Sequence, residues 1–179
     1  MAENAGNRAK GQTGKMAKSS SRALYRTGQV WHALRPRINP TDHAFVCQTL
    51  ADDLAAIFFA MERRDQRHAI AVARRLQASG EVDPDLLAAA LLHDCGKGAV
   101  PVWLRVLNVL SPKLLRHVAK EDGIDSQRAA FRLLHHVDLG VERARAAGTS
   151  EATLRLILGR PDIGEEAKLA ALHAADDAS

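Results

Sequence analysis

An all-α fold is what this sequence predicts, on three observations. Aromatic residues make up only 4% of the chain while Ala and Leu recur throughout, a composition that packs helices closely on small side chains. Apolar residues repeat at three- and four-residue spacings, and no alternating strand pattern runs longer than a few residues. The third is the stretch LLAAALLHDCGKG at 86–98, apolar on every side until it meets His93 and Asp94 and stops at Gly-Lys-Gly. A helix with no solvated face is a buried one. With 46% hydrophobic content in 179 residues, the chain can build one substantial core, and a compact single-domain bundle follows.

The elements are taken in order. Residues 1–21 combine Lys10, Lys15 and Lys18 with Gly, Ser and Asn, cannot offset their ordering entropy, and are expected to be a disordered basic tail. A helical lead-in spans 22–62. Leu24, Val30, Trp31 and Leu34 give it a short pattern ending at Arg35-Pro36. Thr41 and Asp42 then supply N-cap chemistry for a long or broken helix through Phe45, Leu50, Leu54 and Phe58 to Met61. The domain proper, 63–179, opens with a helix from about Arg64 to Ser79, closed by Gly80. Its apolar stripe is Ala69, Val72, Ala73 and Leu76, and His68 borders it one turn before Val72. Taken alone, His68 reads as a core histidine bonded to a carbonyl.

Asp83 and Pro84 open the organising helix as N-cap and N1. At its end, Gly96 and Gly98 are expected to take left-handed backbone, with the Lys97 ammonium free to swing between them. Residues 101–110 and 111–120 read as two structural helices, the second capped by Ser111 with Pro112 at N1. Asp125 is expected to cap a helix reaching His135, and 136–140 to open one that runs to Ala147. Residues 148–150 start the next, which ends at Gly159. Gly164 leads into the last, through Leu169 and Leu172 to Asp176.

Charge is unevenly placed. Residues 1–40 hold eight Lys/Arg against one acid, which leaves seventeen of the 25 bases and twenty of the 21 acids in residues 41–179. A tail of that kind allows an electrostatic arm for nucleic acid or anionic surfaces, and its acid-poor Arg/Ser bias also allows a transit peptide. It lacks aromatic interleaving, so a solubilising leader is the preferred reading. Cys47 and Cys95 are the only cysteines, far apart and without a CxxC, which excludes a disulfide framework or a cysteine-rich zinc knuckle and suits a reducing cytoplasm. The longest apolar runs, 54–61 and 86–92, fall short of the ~20 residues of a bilayer span. No membrane partner is expected, and nothing in the residues sets an oligomeric state.

His93 and Asp94 emerge where protein surrounds them. A carboxylate there needs a cation, either a basic side chain or a metal that also uses the neighbouring imidazole. From about Asp65 onward the chain resembles the HD-domain superfamily of metal-dependent phosphohydrolases. His68 is similar to the family's first histidine, His93-Asp94-Cys95-Gly96-Lys97 to its HDxGK signature, and Ala175-Asp176 to its distal aspartate. The resemblance implies a helical bundle of the HD type hydrolysing a phosphate ester or anhydride, with a phosphorylated small molecule, most plausibly a nucleotide, as partner. It implies one divalent ion (Mn, Fe, Ni, Co or Zn) on His68, His93, Asp94 and Asp176, with Asp94 and Lys97 at the chemistry. Asp176 is preferred to Asp177 because it follows Leu172 by one turn on the buried face.

His136, four residues before Gly140, resembles the HPEIG-type element that helps hold a second metal in the HD-GYP branch. The chain departs from that branch at 159–162, Gly-Arg-Pro-Asp, where a histidine pair and an acid would stand, and no GYP triplet follows. One metal is therefore expected, with His136 and Arg160 left for a second ion or for substrate phosphate. His135 reads as a helix-end residue beside the site; His32, His43, His117 and His173 receive no role. The alternative is a regulatory or interaction module that binds a metal and a phosphate ligand without turnover.

Overall fold

The computed structural model describes residues 38–179 and places ten helices and no strand among them. The expected tail and the lead-in pattern of 23–37 lie outside these residues. The helices are α1 (Pro40–Thr49), α2 (Asp52–Ala60), α3 (Arg63–Ala78), α4 (Pro84–Leu92), α5 (Val102–Leu110), α6 (Pro112–Val118), α7 (Asp125–Leu134), α8 (His136–Ala146), α9 (Glu151–Leu158) and α10 (Glu166–Asp177).

Local chemistry explains most boundaries and corrects two expectations. Asn39, not Thr41 or Asp42, caps α1. Its side-chain oxygen accepts the Asp42 N–H at 2.7 Å with Pro40 at N1. Of the two forms expected for the run to Met61, the broken one is present, because Leu50 and Ala51 are extended, with ψ of 140° and 158°. At α7 the cap is Ile124, whose N–H is taken by the Gln127 side chain at 3.1 Å, so Asp125 is already the first helical residue. Elsewhere the reading holds. Asp83 accepts from Leu86 N–H at 3.0 Å to start α4, Ser150 does the same for Thr153 N–H at 3.0 Å to start α9, and Gly159 ends α9 at φ 65°.

α4 is the axis of the bundle. Every residue from Leu86 to Leu92 is buried, and α1, α2, α3, α9 and α10 pack around it. Full burial contributes about 1.5–3 kcal/mol for each of its leucines before chain entropy is counted. Phe45, Val46, Leu54 and Phe58 of α1 and α2 belong to the same buried cluster. A second, smaller cluster joins α5, α6 and α7 through Leu104, Leu115, Ala130 and Leu133. Among the described residues no helix is long and apolar enough to cross a membrane.

Candidate metal centre

α4 delivers two polar residues at its C-terminal end. His93 Nδ1 lies 2.9 Å from the Ala90 carbonyl, and since a carbonyl only accepts, Nδ1 carries a proton, which leaves Nε2 as the nitrogen that a metal would take once it displaces the second proton. Asp94, in the next turn, is buried. Its Oδ1 is 3.5 Å from His93 Nε2 and 3.8 Å from Nε2 of His136, while its Oδ2 accepts from Lys97 Nζ at 2.5 Å. α3 contributes His68 and α10 contributes Asp176. Asp176 Oδ1 stands 2.7 Å from His68 Nε2 and 3.5 Å from His93 Nε2. Ligand atoms of His68, His93 and Asp94 all lie within 4.8 Å of one another.

A backbone contact brings α8 to this cluster. A Cβ on Gly96 would come within 1.9 Å of the His136 carbonyl oxygen and 2.6 Å of Gly140 N, and one on Gly140 within 3.2 Å of Cys95 Sγ. Left-handed backbone was expected at both loop glycines, but only Gly98 has it, at φ 58°. Gly96 is needed because α8 leaves no room for a side chain. Arg143 of α8 holds the loop from the other side, donating to the Cys95 carbonyl at 2.9 Å. Burial pushes the Cys95 thiol up to about 11, so it is no thiolate nucleophile at neutral pH.

Charge around the cluster is coupled. Burial raises Asp94, but the nearby His93 and Lys97 outweigh it and hold the carboxyl below its ordinary value. Burial lowers His93, yet hydrogen bonding to Asp176 and the charge of Asp94 bring it out above the usual imidazole value. Asp176 is held well below the carboxylate range by His93 and His68. His136 falls below its ordinary value, first through burial and then through repulsion from Lys97.

The structure thus brings together His68, His93, Asp94 and Asp176, with His136 beside Asp94. His68 meets a carboxylate where a carbonyl had been expected. Lys97 is pinned to Asp94 instead of swinging free. Arg160 is exposed just past Gly159 and has no ion-pair partner among the described residues. Sequence reasoning missed a neighbouring feature, the buried Asp65 of α3, which takes both arms of Arg105 from α5 at 3.0 and 2.9 Å, with Glu62 3.4 Å away. The signal was present: Arg105 is the one charged residue in the apolar nine of α5.

Comparison with protein families matches the HD domain over residues 44–176, most of the chain. The chain belongs to the HD-domain family. No curated protein and no solved structure matches it. HD domains are typically hydrolases that bind divalent metals, and this one has donors that fit such an ion: a buried carboxylate, an imidazole whose proton is fixed on the far nitrogen, and a second imidazole in reach.

Proposed function

We propose that this HD domain hydrolyses a phosphate ester or anhydride of a nucleotide, using a divalent first-row metal held by His68, His93, Asp94 and Asp176. The observation that carries the reading is the convergence of these four side chains from α3, the end of α4 and α10. When bound, the ion supplies Lewis-acid chemistry, activating water at neutral pH and offsetting the charge of phosphoryl oxygens. The chain's own residues do the rest. The Ala90 carbonyl keeps the His93 ring aimed at the cluster. Lys97 transfers its ammonium from Asp94 to a phosphate oxygen, a charge-assisted bond. His136, whose Nε2 faces the same Asp94 oxygen as that of His93, would meet the same phosphate, and Arg160 is a further phosphate contact only if substrate extends past the end of α9.

The Lys97–Asp94 pair also favours a second reading, a binding module without turnover, because the ammonium already compensates the buried carboxylate. The two are separated by loading the full chain with Mn, Fe, Co, Ni or Zn and assaying phosphate release from nucleoside mono-, di- and triphosphates and simple phosphomonoesters. The hydrolase reading expects metal-dependent release that stops on chelation and returns on reloading. Tight metal binding with no release from any substrate would support the module.

A further inference from the structure

Of the nine large apolar side chains exposed among the described residues, seven lie between residues 102 and 124, and the other two, Val82 and Ile163, stand apart. Five of the seven are on α5: Val102, Trp103, Val106, Val109 and Leu110. At 3.6 residues per turn they fall within an arc of about 120° on one side of the helix. Leu104, fully buried in the second cluster, lies on the opposite side, and Arg105, on the flank next to Val109, reaches inward to Asp65. α5 therefore buries its one charge beside Leu104 and leaves a second apolar stripe toward water. The two Arg105–Asp65 bonds hold it that way.

Soluble chains rarely leave such a contiguous stripe uncovered. Its surroundings say what covers it. Residues 101–120 contain no Asp or Glu, and the first acids, Glu121 and Asp122, come only afterwards. On the following helix, α6, Leu114 is half exposed, and Lys113, Arg116 and Lys120 of the same segment are exposed. The stripe is convex, formed by one helix and not by a groove between helices. A second copy of the chain, placed face to face, would set these cations against themselves. Exposed apolar residues with a Trp, in a segment whose exposed Lys and Arg have no ion-pair partner among the described residues, match the headgroup boundary of a negatively charged bilayer.

We propose that the α5–α6 face docks on an anionic lipid surface, with Trp103, Val109 and Leu110 in the acyl boundary and Lys113, Arg116 and Lys120 over the lipid phosphates. Docking of this kind needs no spanning helix, so the shortness of the apolar runs does not oppose it. The basic excess of residues 1–40 adds charge of the same sign to the chain.

The test sediments the full chain with vesicles of phosphatidylcholine alone and with an equimolar mixture of phosphatidylcholine and phosphatidylserine. Binding is expected to the mixed vesicles, and in a Trp31→Phe background, which leaves Trp103 as the only tryptophan, brominated lipid should quench the fluorescence. Val109→Glu with Leu110→Glu changes side chains that are 80% and 78% exposed, so circular dichroism should be unchanged while partitioning falls by about tenfold or more. Should that variant misfold, Val109→Ser with Leu110→Ser provides the same comparison. Lys113→Glu, Arg116→Glu and Lys120→Glu together should weaken the preference for phosphatidylserine to what the tail's charge alone supplies, and an unchanged preference would overturn the assignment of these three to the lipid phosphates. The proposal is overturned if neither vesicle binds, or if binding survives loss of the stripe and so belongs to the tail's charge. A dimer in sedimentation equilibrium that the glutamate variant dissociates, without vesicle binding, would overturn it in favour of self-association.

Discussion

Asp65 and Asp94 are buried alike, 4% and 3% exposed, yet their charges are met in different ways. Both oxygens of Asp65 are taken by one guanidinium, at 3.0 and 2.9 Å, and the pair is closed. Asp94 gives one oxygen to an ammonium and turns the other toward imidazole nitrogens at 3.5 and 3.8 Å. A closed pair ties α3 to α5 and offers nothing to a ligand. An open one, with imidazole nitrogens facing it, is a place where a cation can be exchanged. Burial of a charge is thus no marker of a site by itself; acceptors left over after the pairing are.

The comparison is broken most forcefully from the Asp65 side. Asp65→Ala leaves Arg105 with only the longer, half-exposed Glu62 contact and should cost up to about 3–5 kcal/mol in urea denaturation while leaving metal content unchanged. Replacing both partners, Asp65→Leu with Arg105→Met, should recover most of that loss. If Asp65→Ala instead emptied the metal site in a folded protein, the two carboxylates would not be separable as structure and site. Next in size is Gly96→Ala, whose methyl meets the His136 carbonyl oxygen. Overpacking of about 1–3 kcal/mol is expected, with the His136 imidazole resonances shifted in NMR spectra. Gly140→Ala, whose nearest contacts are the Cys95 sulfur at 3.2 Å and the Gly96 N at 3.3 Å, should cost less.

Two smaller effects sharpen the open side. Lys97→Ala removes a phosphate donor that cannot ligate a metal, so KM for a phosphorylated substrate should rise roughly tenfold with metal content unchanged. Loss of metal in that variant would contradict the role. Protons should also compete with the ion. His93 holds its proton to higher pH than a free imidazole, so metal affinity should fall as pH drops through that raised value, and binding should release protons. Titration calorimetry in buffers of different ionisation enthalpy measures the release, and His93→Asn should diminish it.

What was legible in the sequence was local. Asp83-Pro84 before an apolar run, Ser150 ahead of α9 and Gly159 after it are short-range signals, and the helices start and stop there. His93 and Asp94 stood out as candidates because a carboxylate at the end of an all-apolar helix demands a partner, whereas His68 and Asp176 entered only through the family resemblance. The Asp65–Arg105 pair spans 40 residues, and no periodicity encodes such a meeting. Gly96 was misread for a related reason: its neighbour is the backbone of α8, which the residues around it do not announce. The α5 stripe went unseen because apolar spacing shows that a helix has a face but not which way tertiary contacts turn it.

The central claim, that Asp94 is buried for a cation which His68, His93 and Asp176 help to hold, is tested most directly by elemental analysis of metal-loaded protein after exhaustive dialysis. One equivalent per chain is expected, unchanged in His136→Ala and absent in Asp94→Ala and His68→Ala, with circular dichroism retained in all three. A full equivalent persisting in Asp94→Ala would contradict the account, as would two equivalents in the parent chain of which His136→Ala removes one.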